Sequence, residues 1–465
     1  MLQQLMERMM DNPIAKRLLS HGVWAMAGKF GTVFLSLLVN SLLARILAPD
    51  EVGIYFLLFS VVTFGSYIGM LGLRQTIVKM LAENLDDPHR VKLLVKRILK
   101  IALCGAGGFT IVFAIFFQSI AEAVFNINLV MPIVVLVAVW ILIDIFQQII
   151  SEGFRGFHNI KLASIFGGFL SSLTLVVSLF VIYFLGETRL IVVVALMVVS
   201  LLTSVSIASW LFKRQVTRVK KTYSGITLPS VDTISYKGIL GVSVPLLIFT
   251  ITAFFLYQSD LWIVGAFGTE EEVAIYGAAF RLVLIVSMPV VIADMITPPL
   301  IAQMNAQNKL KEIEGTLRNV STIASIPAIA VIVVFIACGQ LILGLIFGEF
   351  YKSGAVILSI LCIGQLFNVI GGSSGSTLMM TGNQKAIMII TLISSFLMIV
   401  GSIIAVQKYG PAGVAVVKSA GLLVQNILMI IVTKRKLGIW THITWITRLS
   451  LPNGKESYKV EREAN

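Results

Sequence analysis

Charge is what this 465-residue chain has least of. Asp, Glu, Lys and Arg make up only 13% of it, about half the share found in ordinary soluble domains. Hydrophobic residues make up 57%, and the mean hydropathy is +0.94. A soluble protein of this size could not cover its surface with so few polar groups, so the composition belongs to an integral membrane protein. Cysteine is scarce as well. Cys104, Cys338 and Cys362 lie inside apolar runs, with no metal-ligand spacing and no disulfide logic, and read as small buried hydrophobes. The four histidines have no HExxH or comparable spacing, which excludes the common zinc hydrolases. No GxxxxGK[ST] loop is present to run an ATP motor. No outward loop is long enough to form a catalytic domain; the longest, near 118–129, is an amphipathic connector. No cofactor is implied, and the chain does not read as an enzyme.

What is present is a series of apolar runs. A spanning helix needs roughly 20 mostly apolar residues. The runs that qualify are 22–47, 53–82, 98–118, 129–151, 161–185, 190–212, 239–267, 274–303, 318–347, 354–378, 385–406 and 412–433. The first follows Lys16 and Arg17 as a signal sequence would. It is too long for a cleavable apolar region and contains Lys29, so it is expected to be retained as a helix. Twelve spans put both termini on one side. The N-terminus, the loops after even-numbered spans and the C-terminus hold 27 of the 36 lysines and arginines, against four in the opposite loops. By the positive-inside rule both termini are cytoplasmic, in a multi-pass protein of the cell inner membrane. The net charge of +13 is spread over these short loops rather than clustered on a soluble face, so nucleic acid is not a partner.

The chain also repeats itself. PDEVGIY (Pro49–Tyr55) aligns with EEEVAIY (Glu270–Tyr276) at an offset of 221, FHNIK (Phe157–Lys161) with TGNQK (Thr381–Lys385) at 224, and FKR (Phe212–Arg214) with TKR (Thr433–Arg435) at 221. Three matches in order at a nearly constant offset indicate duplication. Each half holds an even number of spans, so the halves share orientation and relate by an axis along the membrane normal. The expected organisation is a cytoplasmic N-terminal segment (1–21), an N-lobe of six helices (22–212), a cytoplasmic linker (213–238), a C-lobe of six helices (239–433) and a cytoplasmic tail (434–465). The charges in the repeated phrase read as helix starts. Thr269 and Glu272 fit a capping box, while Pro49, Asp50 and Glu51 suit a first turn, where proline is tolerated and acids favour the dipole.

The informative residues are ionisable groups inside spans. A charge near the bilayer centre costs at least about 2.5–3.5 kcal/mol, so each should face protein, water or a partner. They are Lys29, Arg74, Lys79 and Asp144 in the first half, and Asp260, Arg281, Asp294 and Lys418 in the second. Asp260 and Arg281 lie at a similar depth, roughly 10–12 Å below the outer ends of their helices, and are candidates either for an ion pair or for a pathway. Lys29, Arg74 and Asp294 share a level in the cytoplasmic half, with Arg74 and Asp294 at nearly equivalent repeat positions. Asp144 is the only deep acid available to Lys29 and Arg74. Lys79 is placed to snorkel, Glu152 and Arg155 to mark an interfacial helix end, and Lys418 either to snorkel or to point inward. Cations in excess of partners suggest an interior that receives an anion. Pro245, Pro289, Pro298, Pro299 and Pro327 permit kinks. GGSSGS (Gly371–Ser376) looks like a phosphate-cradling loop, but late in a span it fits close helix packing or a local break better.

The stretch ARILAPDEVGIYFLLFSVVTFGSYIGMLGLRQTIVK, Ala44–Lys79, resembles the signature of polysaccharide flippases in the multidrug/oligosaccharidyl-lipid/polysaccharide exporter superfamily. That signature has an AR-x-L-x-P phrase, an acid-Gly-x-Tyr helix start, and LGL before a basic residue. The likeness extends over all twelve spans and is specific over the first two. It implies an all-α membrane fold of two parallel six-helix lobes in a MATE-like V, with a cavity lined by helices one, two, seven and eight. It also implies a cargo of undecaprenyl-diphosphate-linked oligosaccharide, moved among membrane lipids for O-antigen, lipopolysaccharide, capsule or related polymers. By this likeness Lys29, Arg74 and Arg281, joined by Lys418, are substrate-binding lumen cations. Asp260, Asp294 and Asp144 are candidates for coupling to H+ or Na+ or for ion pairing, and polysaccharide-assembly proteins are candidate partners. Drug exporters of the superfamily place an acid where this chain has Lys29, and peptidoglycan-precursor flippases carry two further helices. A cation-coupled multidrug antiporter and a multi-span polymerase or glycosyltransferase are the alternatives.

Overall fold

The computed structural model describes residues 13–222, 235–306 and 310–444. Residues 1–12, 223–234 and 445–465, which belong to the expected N-terminal segment, linker and tail, lie outside the described residues. Among the described residues, eleven helices are long and apolar enough to cross a membrane. The longest, 54 residues from Gln384 to Leu437, would be about 80 Å long if straight, far more than one bilayer. It folds back on itself at Gly410 (φ 58°, ψ −151°), which Pro411 follows. Gly413 packs on Ala405, Gly401 on Val417 and Gly421 on Met398. That antiparallel register makes it a hairpin of two spans, so the described residues hold the expected twelve. Apolar side chains face outward in quantity, with Phe184 72% and Leu185 75% exposed. Such a surface is at home only against lipid.

The chain divides into two compact units, Met1–Ala274 and Ile275–Asn465. The first holds α1 (Pro13–Ile46), α2 (Pro49–Gly69), α3 (Leu73–Glu83), α4 (Pro88–Phe125), α5 (Met131–Gly156), α6 (Ile160–Leu185), α7 (Leu190–Thr222) and α8 (Tyr236–Phe267). Local chemistry sets their ends. Asp87 caps α4 by accepting from the His89 and Arg90 amides at 2.9 and 3.1 Å, with Pro88 at the first position. Pro49, Asp50 and Glu51 occupy the first turn of α2 as expected, without a side-chain cap. The expected capping box is present: the Thr269 amide donates to Glu272 Oε2 at 3.1 Å, and the Glu272 amide donates to Thr269 Oγ1 at 3.3 Å. Gly53 backs directly onto the main-chain carbonyl of Glu270, so the two copies of the repeated phrase touch where a Cβ has no room.

The expected second span, 53–82, is not one helix. It breaks at Leu71 (φ 50°) and Gly72 (φ 75°) into α2 and α3. At Gly72 the chain runs against the Ser243 main chain of α8, which leaves no space for a side chain. The fifth span breaks at Gly167 and Gly168 (φ 129°). The main-chain groups freed there are met from α5: Gln147 Nε2 donates to the Phe166 carbonyl at 3.1 Å, and Ser151 Oγ donates to the Ala163 carbonyl at 2.9 Å. α5 is the central helix of this unit and packs on α2, α3, α4 and α7. α8 lies on α2, α3 and α4, where Trp262 Nε1 donates to Ser60 Oγ at 2.7 Å.

The second unit holds most of α9 (Glu270–Ala306), then α10 (Leu310–Ile346), a 3-10 turn (Glu349–Gly354), α11 (Ala355–Gly371), α12 (Ser374–Met380) and the hairpin α13 (Gln384–Leu437). GGSSGS is the expected local break and also a close-packing point: Gly371 abuts Asn426, and Gly372 (φ 59°) abuts Ser321 and Thr441. Residues 438–444 then fold back as a strap. The Ile443 amide donates to the Ile370 carbonyl at 3.2 Å, the Thr444 amide donates to Thr322 Oγ1 at 3.0 Å, and Ile439 packs with Ile301, Ile313 and Leu317. Pro245 lies inside a helix without non-helical angles and Pro327 lies eleven residues before the kink of α10 at Cys338, while the other non-helical angles inside helices fall at glycines. Tertiary contact, more than proline, decides where this backbone breaks. Of the three cysteines only Cys362 is buried. Cys104 and Cys338 are exposed, because an apolar residue in a span is as well placed against lipid as against protein.

Candidate functional site

Polar residues on α5 recur at helical spacing. Asp144, Gln148, Glu152 and Arg155 fall at i, i+4, i+8 and i+11, which sets them along one face. Glu152, expected at the interface, is instead buried, its side chain 7% exposed. A lone carboxylate there would be costly, and it is met by two guanidinium groups. Arg74 Nε lies 3.0 Å from Glu152 Oε1, and Arg155 Nη1 lies 3.0 Å from Oε2 and 3.3 Å from Oε1.

The two arginines reach Glu152 for different reasons. Arg155 sits in the last turn of α5, where the helix dipole favours a cation, three residues from its partner. Arg74 sits in the first turn of α3, where the dipole disfavours one, so a carboxylate partner is required. The break at Leu71–Gly72 starts α3 at that point. Both arginines remain open on their other side, with side chains 44% and 51% exposed. Lys29 of α1 lies within electrostatic reach of Arg74 and Arg155. Its neighbour Gly28 packs on Ser164, and Gly31 on Phe169, which bring α1 against the broken part of α6. Asp144 accepts from Gln148 Nε2 at 2.6 Å and lies within electrostatic reach of Arg74. The first unit thus gathers Lys29, Arg74 and Asp144, and adds Glu152 and Arg155, which the sequence marks only as an interfacial helix end. Cations outnumber acids in this group. Its guanidinium and ammonium donors suit phosphate oxygens.

The remaining predicted residues, Lys79 of α3 apart, belong to other helices. Asp260 is buried in α8, 4% exposed. In the second unit Arg281 is half-buried on α9. Lys418 is 3% exposed, with its ammonium 5.2 Å from the centre of the Phe280 ring, so it does not snorkel outward. Asp294 accepts from Ser376 Oγ at 3.0 Å, beside the GGSSGS break. Lys79 is exposed and 4.0 Å from Glu83, as a snorkelling lysine would be. Among the described residues no group of three or more His, Cys, Asp or Glu could hold a metal ion.

The family model described as "Polysaccharide biosynthesis protein" matches residues 18–305. The chain belongs to this family. A second model, that of MatE, matches residues 245–404. A Haloferax volcanii protein, "Probable low-salt glycan biosynthesis flippase Agl15", is 28% identical over 186 residues, a stretch spanning 38% of each chain. The chain is also similar in fold to a multidrug resistance MATE transporter of the MOP superfamily in its inward-facing conformation. That likeness has a TM-score of 0.70 at 17% identity, over 87% of this chain and 94% of that one. The lipid II flippase MurJ, inward closed, gives 0.66 at 14% identity, over 89% and 87%. A MOP superfamily transporter from Pyrococcus furiosus, whose structure is described as having reversed binding-pocket polarity, gives 0.61 at 17% identity, over 91% and 96%. The all-α, multi-span fold of the polysaccharide biosynthesis family member is therefore that of the exporter superfamily.

Proposed function

We propose that this protein is a flippase rather than an enzyme. Its cargo is an undecaprenyl-diphosphate-linked oligosaccharide, carried across the cytoplasmic membrane by alternating access for surface polysaccharides such as O-antigen, lipopolysaccharide or capsule. One observation carries the reading: Arg74 and Arg155 both pair with the buried carboxylate of Glu152, and Lys29 lies within electrostatic reach of both arginines. A diphosphate diester stays ionised at neutral pH. Guanidinium groups meet its oxygens in pairs, and an ammonium meets them as a point charge. The relatives support the same direction, one being named as a glycan biosynthesis flippase and another as a lipid II flippase.

In this reading the two sequence halves, 22–212 and 239–433, act as lobes joined by the linker 213–238. Arg281 and Lys418 serve the cargo from the second half. Asp260, Asp294 and Asp144 are the candidates to carry H+ or Na+. Both termini are cytoplasmic in the inner membrane, on the lysine and arginine bias of the loops. Membrane lipids surround the protein, and polysaccharide-assembly proteins receive the product.

The test is surface glycan in cells whose only copy is Lys29→Ala, Arg74→Ala or Arg281→Ala, at matched membrane levels. A loss of about tenfold or more is expected, the scale of one charge-assisted contact. Normal glycan from all three variants would defeat the assignment. The MATE-like fold also favours a cation-coupled drug antiporter. Drug-driven release of a labelled cation from proteoliposomes would establish that reading, while flipping insensitive to both ion gradients would reject coupling through Asp260 or Asp294.

A further inference from the structure

Glu152 has no evident task if the cluster merely attracts anions, since a buried acid weakens the field of the cations beside it. Its geometry gives it one. Arg74 bonds Glu152 through Nε, which leaves both of its terminal nitrogens unused by that contact. Arg155 bonds through Nη1, which leaves Nε and Nη2 unused by that contact. The carboxylate therefore holds two guanidinium groups from two helices by one edge each, while both arginine side chains stay about half exposed. Lys29 adds a third positive charge within electrostatic reach of both. Asp144 lies within electrostatic reach of Arg74, but without Glu152 the three cations would repel one another and would hold a diphosphate too tightly to release it. A carrier must let go as well as bind.

Building on the flippase reading above, we propose that Glu152 is the built-in counter-ion of a diphosphate-binding site formed by Lys29, Arg74 and Arg155. It fixes the two arginines in place and sets the affinity low enough for cargo to leave. Arg155 is then a cargo-binding residue in its own right, and Glu152 a positioning and affinity-setting one. The ligand chemistry is a diphosphate, whether offered by a lipid-linked glycan or as the free ion; neutral sugars gain nothing from this site.

The sign of the effect separates this role from a structural one. Glu152→Gln keeps Oε1, which already accepts from both arginines, at 3.0 Å from Arg74 Nε and 3.3 Å from Arg155 Nη1, and removes the charge together with the 3.0 Å contact of Arg155 Nη1 at Oε2. In the purified full-length protein, inorganic pyrophosphate binding measured by titration calorimetry should tighten roughly tenfold, the scale of one partly screened charge at this distance. Transport of lipid-linked glycan in proteoliposomes should show a lower KM together with a lower kcat. Arg155→Gln should weaken pyrophosphate by about the same factor. The double variant Glu152→Gln/Arg155→Gln restores the cluster's net charge and should return within about threefold of wild type. A scaffold that only holds arginines in place predicts instead weaker binding in Glu152→Gln and the weakest in the double variant. Either result overturns the proposal, as does an unchanged constant in a Glu152→Gln protein of native thermal midpoint.

Wild-type protein that fails to bind pyrophosphate, or binds it independently of Lys29 and Arg74, defeats the cargo-site reading itself. Binding that depends on Lys29 and Arg74 but does not tighten in Glu152→Gln defeats only the counter-ion role. Anionic phosphatidylglycerol added to the micelles should leave the pyrophosphate constant unchanged. Its abolition of binding would make this a lipid headgroup site and sink the proposal.

Discussion

Gly72 and Gly438 share a backbone conformation, at φ 75° and 74°, but not a neighbourhood. That pair offers a direct measurement of what fixes the break between α2 and α3. A Cβ on Gly438 would meet nothing within 4 Å. A Cβ on Gly72 would overlap the Ser243 carbonyl oxygen and lie 2.9 Å from both the Ser243 carbonyl carbon and the Leu247 amide nitrogen. These are main-chain atoms of α8 and cannot rotate away. For Gly438→Ala the cost is the left-handed conformation alone, about 1–2 kcal/mol. For Gly72→Ala the same cost is joined by an overpacking term of about 1–3 kcal/mol as two helices are forced apart. The expected losses are therefore about 1–2 against about 2–5 kcal/mol. Thermal unfolding of both variants in one detergent, followed by tryptophan fluorescence, should show Gly72→Ala lowering the midpoint about two to three times as far. Equal shifts would mean that the α2–α3 break is set by local conformation and not by the approach of α8. Crowding at Gly72 would then not be the reason that Arg74 begins a new helix.

Two other outcomes are expected. Gln147→Leu leaves the Phe166 carbonyl at the α6 break without its buried donor, which should cost about 1–3 kcal/mol and speed amide exchange around 165–169; unchanged exchange there would show that the break stands without α5. In the loop between α6 and α7, Arg189 grips Glu187 through Nε at 2.7 Å and Nη2 at 2.8 Å, and its hydrogen bonds lower the carboxyl from 4.5 to about 2. A carboxyl lowered in this way supports the fold above its unfolded value near 4.5 and loses that contribution as pH falls through about 2. The Glu187 carboxyl should therefore still be ionised at pH 4, and Arg189→Gln should move its NMR titration midpoint up toward 4.5; an unmoved midpoint would discard the pair as the cause.

Some features were legible in the sequence because they are local. The twelve spans follow from apolar length, which separated 385–406 from 412–433 although one hairpin joins them at Gly410. The Thr269–Glu272 box needs only a spacing of three. The family match and superfamily fold agree with the kinship that Ala44–Lys79 suggested.

The site was legible only in part. Lys29, Arg74 and Asp144 stood out because a charge inside an apolar run is expensive wherever it points. Glu152 and Arg155 did not, since a helix end near an interface excuses any charge; the signal overlooked was their four- and three-residue spacing behind Gln148 and Glu152. Residue order cannot report that α3 restarts at Leu73 and turns Arg74 onto α5, nor that α8 leaves Gly72 no room for a side chain. Hydropathy and capping act between residues a few positions apart and are written in the chain itself. Burial of a carboxylate between arginines 78 positions before it and three after it depends on which helices meet, and only the packed structure decides that.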